Sequence, residues 1–186
     1  MNPTVNKSDF EDLTTNLRDL AYSYLEKYNP SKQQLKVYLL KKYLTKIKGS
    51  KTKKEVTSVI DKIILNLENN RILNDEMYSD SKARMFLRRG YSLNKINQSL
   101  RNKGIDSKFI KQSIDKIRED EIEPDFVSAL KLCKRRRIGP VRPEDNRELF
   151  YKKDMGILAR SGFSFELSKR ILDLEKTEFN KLIKLI

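Results

Sequence analysis

Apolar residues recur three or four positions apart along almost the whole chain, the spacing of helices with one buried face. Phe10, Leu13, Leu17, Leu20 and Tyr24 mark the first such face, with Ser8 and Glu11 placed as a capping box ahead of it. Asn29–Pro30 ends that helix, because the residue before a proline avoids the helical region. Ser31 restarts it, with Gln34 at the reciprocal box position, and Leu35, Tyr38, Leu39 and Tyr43 form the next face, which Ile47 extends. Lys48 to Lys54 reads as a loop. A third helix carries Val56, Val59, Ile60, Ile63 and Leu67 and stops at Asn69–Asn70, since asparagine tolerates left-handed dihedrals. Ile72 and Leu73 are expected to seal the end of this unit.

The stretch from Leu73 to Ile117 shows the plan most clearly. Asn74 or Asp75 caps a helix bearing Tyr78, Ala83, Met85 and Phe86, and Gly90 ends it. Ser92 caps a second helix, with Leu93, Ile96 and Leu100 on its buried side. This one spans only about three turns, too few to persist in water without tertiary packing. Gly104 fits the left-handed position after its last turn. Asp106 caps a third helix with Phe109, Ile110, Ile114 and Ile117.

Beyond it, Pro124 suits a first helical turn, and Phe126, Leu130 and Cys133 continue toward Arg137. Ile138–Gly139–Pro140 breaks that helix, and Pro143 starts the next, with Tyr151, Met155, Ile157 and Leu158 as its apolar contacts. The passage LARSGFSFELSKRIL then repeats the central one. Leu100 aligns with Leu158, Gly104 with Gly162, Ile105 with Phe163, the cap Asp106 with Ser164, Phe109 with Leu167 and Ile114 with Leu172. Phe179, Leu182, Ile183 and Ile186 suggest a short terminal helix or a frayed tail. The expected fold is all-α: three tandem three-helix repeats at 8–73, 74–120 and 123–176, then a tail at 177–186, together forming an elongated, curved body. A unit of roughly 50 residues is marginal alone, so neighbouring units should lean on one another or on a partner.

Composition narrows the chemistry. Histidine and tryptophan are absent, and Cys133 is the single cysteine among 186 residues. His-based acid–base or metal chemistry, an intrachain disulfide and multi-thiolate metal sites are therefore excluded. Cys133 reads as a small buried hydrophobe. No glycine-rich phosphate loop or paired carboxylates at meaningful spacing occur, and no cofactor is expected. No apolar run reaches the length of a membrane span and the N-terminus lacks a signal-peptide core, so a cytoplasmic protein is the default.

The 40 Lys and Arg exceed the 26 Asp and Glu, for a formal charge of +14. Such a field concentrates polyanions: nucleic acid first, then an acidic protein or an anionic membrane. Its distribution says more than its total. Three blocks contain no acid: Lys27 to Lys54, Ser81 to Ile105 and Phe126 to Pro143. Cations before Gly90 and Gly104 gain from the helix dipole, and that alone accounts for many of them. It does not account for acid-free blocks recurring near corresponding parts of successive units, which suggests an interrupted basic stripe. Tyr38, Tyr43, Tyr91 and Tyr151 are candidates for base stacking, although tyrosines at helical spacing belong more often to a core or its rim.

The segment LNDEMYSDSKARMFLRRGYSLNKINQSLRNKGID resembles the central repeat of the RecX family, regulators of the bacterial recombinase RecA. The features that carry the resemblance are Asp75 and Glu76, Tyr78, Arg84, Arg88–Arg89–Gly90, Ile96 and Lys103–Gly104–Ile105. The third unit resembles the family's C-terminal repeat at Arg147 and Leu158 to Phe163, while the first unit departs from the pattern with its Lys-rich loop. The resemblance implies a non-enzymatic, monomeric, all-helical protein. It would lodge in the groove of the RecA filament on single-stranded or duplex DNA, away from membranes, and restrain recombination, ATP hydrolysis and the co-protease role of RecA in the SOS response. The expected contacts are Arg84, Arg88, Arg89, Lys95, Arg101 and Lys103 in the central unit and Arg135, Arg136, Arg137 and Arg147 in the third. The competing readings are a DNA-binding helical protein, sequence-independent or using a helix–turn–helix-like break with Lys95, Gln98 and Arg101, and an adaptor for an acidic protein.

Overall fold

The chain's helix starts are set by short polar side chains. The computed structural model describes the backbone of residues 7–47 and 52–186, and within these the side chains of all but residues 7–10, 46 and 47. The expected cap at Ser8, the apolar contacts of Phe10 and Ile47 and most of the Lys48–Lys54 loop therefore lie outside the described residues. Every regular element among the described residues is helical: α1 (Lys7–Lys27), α2 (Lys32–Lys42), α3 (Lys53–Asn69), α4 (Asp75–Arg88), α5 (Leu93–Arg101), α6 (Ser107–Asp120), α7 (Pro124–Arg136), α8 (Glu144–Arg160), α9 (Phe165–Leu172) and α10 (Lys176–Lys184). A π-helical turn, Tyr43–Ile47, follows α2, and a 3-10 turn, Gly139–Val141, separates α7 from α8. These elements fall into two compact units: the chain up to Tyr78 together with Lys103–Ile105, and Ser79–Asn102 together with Asp106–Ile186.

In the first unit the box at Ser31 forms as its sequence suggests, with the Ser31 hydroxyl accepting from Gln34 N and Gln34 accepting from Ser31 N. A second box, Thr52 with Glu55, opens α3 inside what reads in sequence as the end of a basic loop. Leu13 and Leu17 of α1, Leu35 and Leu39 of α2, and Val56, Ile60 and Leu67 of α3 share one core. Each fully buried leucine contributes on the order of 2 kcal/mol of transfer free energy. The end of α3 differs from expectation. Asn70 keeps φ at −84°, and the left-handed residue is Arg71, at +56°. Ile72 and Leu73 both donate to Leu67 O, but only Leu73 is buried, and Ile72 faces solvent.

In the second unit, Ser92 caps α5 by accepting from Lys95 N, and Asp106 caps α6 by accepting from Lys108 N. Ile96, Leu100, Ile110, Ile114 and Ile117 are buried across these two helices. A further cluster unites Ala129, Leu130 and Cys133 of α7 with Leu158, Phe163, Ile171 and Phe179. The terminal segment is helical, as α10, and Phe179 anchors it. Burial pushes the Cys133 thiol up to about 12, with Asp154 adding to the rise, so the cysteine is a neutral core residue.

One arrangement occurs once in each unit. In the first, Lys32 N at the start of α2 donates to the Asp75 carboxylate at 2.9 Å, and the Ser31 hydroxyl donates to Lys103 O at 2.7 Å. Gly104, with φ at +73°, lies flat on the Gln33 side chain, where a Cβ would collide. In the second, Leu93 N at the start of α5 donates to the Asp125 carboxylate at 2.7 Å. Ser92 N donates to Ser161 O at 3.1 Å, and Gly162, φ +90°, lies on Ser92 and Lys95. In each case a later carboxylate and a glycine turn close the N-terminus of a middle helix, and a negative charge there meets the positive end of the helix dipole. Burial raises the pKa of both Asp75 and Asp125, against the backbone hydrogen bonds that lower it.

Candidate functional site

The second unit brings together two basic segments separated in sequence. Helix α4 ends at Arg88, and the chain turns through Gly90 at φ +74°, with Gly90 N donating to Leu87 O and Tyr91 N to Phe86 O. This is the six-to-one and five-to-two pairing of a glycine-terminated helix. The turn rests on α7. The Ser128 hydroxyl faces Leu87 O at 3.2 Å and Tyr91 O at 2.9 Å, and one helical turn further on the Leu132 backbone lies against Gly90. A Cβ on Gly90 would stand 2.7 Å from Leu132 Cβ and 3.0 Å from its Cα. Phe86 and Tyr91 stack across the turn at 5.4 Å.

Arg135 and Arg136 follow Leu132 by three and four residues, one helical turn along the same side of α7. The contact of Gly90 with Leu132 thus brings the end of α4 onto α7 about one helical turn before Arg135 and Arg136. Arg88, Arg89, Lys134, Arg135, Arg136 and Arg137 are all exposed, and none has an ion-pair partner among the described residues. Arg137 takes the left-handed conformation, φ +54°, that closes α7, while Ile138 N donates to Cys133 O and Ile138 is buried beneath it. Two helix C-termini, each with partial negative charge, hold these cations without neutralising them. Guanidinium groups so displayed match phosphate and carboxylate oxygens in a two-pronged geometry.

The other predicted contacts are distributed differently. Arg84 pairs with Asp120 at 2.9 Å on an open surface, an ion pair worth little to stability and easily exchanged. Lys95 is half-buried, with its ammonium 3.3 Å from the Gln98 side chain. Arg101 ends α5, exposed and without an ion pair among the described residues. Lys103 belongs to the first unit, where its carbonyl accepts from Ser31. Arg147 is turned inward. Its guanidinium donates to Leu172 O at 3.0 Å and Leu174 O at 2.7 Å, capping the end of α9, and its side chain is only 16% exposed. Arg142, in the third acid-free block, forms a two-pronged pair with buried Asp154 at 2.6 and 2.8 Å, and the same carboxylate accepts from Gly139 N. That pair raises the Arg142 pKa further. Nothing in the spacing of charges along the chain distinguishes these two arginines from the exposed ones.

The candidate stacking tyrosines are occupied. Tyr43 is buried, Tyr38 stacks on Tyr24 at 4.0 Å, Tyr91 on Phe86, and the Tyr151 hydroxyl donates to Asp173 at 2.8 Å. In the first unit Lys41, Lys53 and Lys54 are exposed, while Lys48 and Lys51 and the side chain of Lys46 lie outside the described residues. Among the described residues no cluster of Cys, Asp or Glu is placed to hold a metal ion, and no helix is long and apolar enough to cross a membrane.

No protein-family model matches the chain. It is similar to the regulatory protein RecX of Myxococcus xanthus (strain DK1622), with 32% identity over 161 residues that span 86% of this chain and 85% of the relative. It also superposes on a crystal structure of a regulatory protein RecX with a TM-score of 0.60, covering 89% of this chain and 74% of the other at 22% identity, which shows a shared fold. A relative matched at this identity over most of both lengths places the chain by descent: it belongs to the RecX family.

Proposed function

We propose that this protein is a non-enzymatic regulator of a bacterial RecA recombinase. It binds the RecA–DNA filament along its groove as a monomer and restrains strand exchange, ATP hydrolysis and co-protease activity. The observation that carries the proposal is the unpaired arginine surface of Arg88, Arg89, Arg135 and Arg136 on the second unit. A filament offers two kinds of acceptor for such a surface, phosphates of the bound strand and carboxylates of adjacent subunits. Bridging neighbouring subunits changes filament growth and turnover without any reacting group on the regulator. Arg84, Lys95, Arg101 and Arg137 extend the contact on the second unit, and Lys103 is a separate contact of the first unit. Arg147 serves it indirectly by holding α9. We further propose that the chain is organised as three tandem helical units at 8–73, 74–120 and 123–176, a reading supported by the junction found at both Ser31–Lys32 and Ser92–Leu93.

The test is binding to single-stranded DNA, alone and preassembled with RecA and a non-hydrolysable ATP analogue, across a salt series. The expected result is tighter binding to the filament than to either component, suppressed ATPase when ATP replaces the analogue, and loss of both when Arg88, Arg89, Arg135 and Arg136 are changed together to Glu with helicity intact. Equal binding to naked DNA and filament, with ATPase untouched, would leave a sequence-independent DNA binder whose affinity follows counterion release alone.

A further inference from the structure

The second unit carries another concave, positively charged feature, on the face formed by α5 and α6. A cleft of about 410 Å³ lies between these helices. Its floor is Ile110 and Ile114, both buried in the core. Asn97 and Arg101 of α5 line one side, and Lys108, Lys111 and Arg118 of α6 line the other. One acid, Asp115, is present, and it is already occupied: Lys111 reaches it at 2.6 Å and Arg118 at 3.5 Å, and the Lys111 hydrogen bond holds its carboxyl below the usual range. Arg101 has no carboxylate among the described residues, and the Lys108 ammonium rests over the Phe109 ring at 4.8 Å. The aliphatic stems of these long side chains continue the apolar floor up the walls while their charges stay at the rim.

We infer that this cleft docks an acidic peptide segment of a protein partner, one bearing an aliphatic side chain between carboxylates. The aliphatic group fills the space over Ile110 and Ile114, and the flanking carboxylates meet Arg101 and Lys108. Lys111 and Arg118 exchange part of their hold on Asp115 for the ligand. The lining favours a peptide over a nucleic-acid strand. A phosphodiester backbone has no apolar group for the floor, and no aromatic side chain lines the cleft to receive a base. This inference does not rest on Arg88, Arg89, Arg135 or Arg136, though Arg101 serves both surfaces, and it holds whichever protein carries the segment.

The test titrates the full chain against a fluorescein-labelled acidic peptide of Glu and Asp carrying two leucines one helical turn apart. The same peptide with serines for leucines and an oligo-dT strand serve as comparison probes. The variant Arg101→Glu with Lys108→Glu removes the two cleft cations that have no acidic partner among the described residues. Arg101→Ala with Lys108→Ala does so more mildly, and Lys152→Glu is a charge control outside the cleft. The leucine peptide should bind. Its affinity should fall by about tenfold or more in the Glu double variant, less in the Ala variant, and not in Lys152→Glu. The serine peptide should bind more weakly, and the double variant should lower oligo-dT binding less than it lowers binding of the leucine peptide. An absence of peptide binding, equal binding of leucine and serine peptides, or a loss confined to oligo-dT would overturn the inference. Circular dichroism establishes that each variant keeps its helices.

Discussion

Replacing Gly90 by alanine tests both the geometry of the arginine surface and its dependence on a single close approach. Two costs add. At φ +74° an L-residue places Cβ against its own carbonyl, at about 1–2 kcal/mol. The new Cβ also stands 2.7 Å from Leu132 Cβ and 3.0 Å from Leu132 Cα, and neither atom belongs to the movable end of a side chain. Relief requires α4 and α7 to part, and overpacking of that kind costs about 1–3 kcal/mol. The expected loss is therefore about 3 kcal/mol, read as a shift of the urea midpoint followed by far-UV circular dichroism. Gly90→Asn separates the two costs, because asparagine accepts the left-handed conformation but still carries a Cβ; it should lose less than alanine does. Leu132→Ala should not rescue Gly90→Ala, since it leaves Cβ and Cα in place. A Gly90→Ala cost below about 1 kcal/mol, within the ordinary range of point substitutions, would refute the close approach. So would full rescue by Leu132→Ala in a double-mutant cycle. Where the fold survives, displacement of Arg88 and Arg89 from α7 should weaken filament binding more than the stability loss explains.

Two further outcomes follow from individual side chains. Arg147→Ala should cost about 2 kcal/mol, because it strips the Leu172 and Leu174 carbonyls of charge-assisted hydrogen bonds; a stability unchanged from wild type in urea denaturation would return Arg147 to the set of partner contacts. Asp125→Asn keeps an acceptor for Leu93 N but cannot ionise. Burial raises the Asp125 carboxyl pKa in the folded chain, so the folded state holds that proton more tightly than the unfolded one. Its contribution is fully present below the ordinary carboxylate value and is lost as pH rises through the raised one. Wild type should therefore lose stability relative to Asp125→Asn as pH climbs from the ordinary carboxylate value, and urea midpoints over a pH series that diverge in the opposite sense would contradict the assignment.

Local signals were legible in the sequence because they depend on neighbours a few residues away. Ser31, Ser92, Asp106 and Ser164 cap the helices they precede, and Gly104 and Gly162 take positive φ. The aligned pairs also share environments, with Leu100 and Leu158 fully buried and Ile105 and Phe163 nearly so. Thr52 is obscured because the lysines around it make the whole stretch read as a loop, although Glu55 completes its box. Asn70 has the chemistry for the left-handed position, yet Arg71 occupies it, since the hydrogen bonds from Ile72 and Leu73 to Leu67 O fix where the chain must turn. The division of arginines was not legible at all. Arg142 finds Asp154 twelve residues away and Arg147 finds carbonyls some 25 residues away. A block free of acids in sequence is not free of acceptors in space.

The two junctions show how the N-termini of α2 and α5 are secured by residues much later in the chain. A small helical unit buries little surface by itself, and the first unit draws in residues from beyond its contiguous segment. Lys103–Ile105 lies beyond Tyr78 in sequence but belongs to that unit, because Ser31 needs the Lys103 carbonyl and Gln33 supports Gly104. Asp75 likewise closes the N-terminus of α2, and the Tyr78 hydroxyl donates to Gln34. A chain cut at Leu73 would leave the buried Ser31 hydroxyl and the Lys32 amide without these partners, each an unsatisfied polar group costing about 1–3 kcal/mol. The helix-closing acid and glycine turn are thus binding elements directed at the preceding residues, and their repetition at Asp125 and Gly162 uses the same chemistry to secure α5. These contacts are made by backbone groups and by serine, aspartate, tyrosine and glutamine side chains, and none of them uses the exposed cations at the ends of α4 and α7.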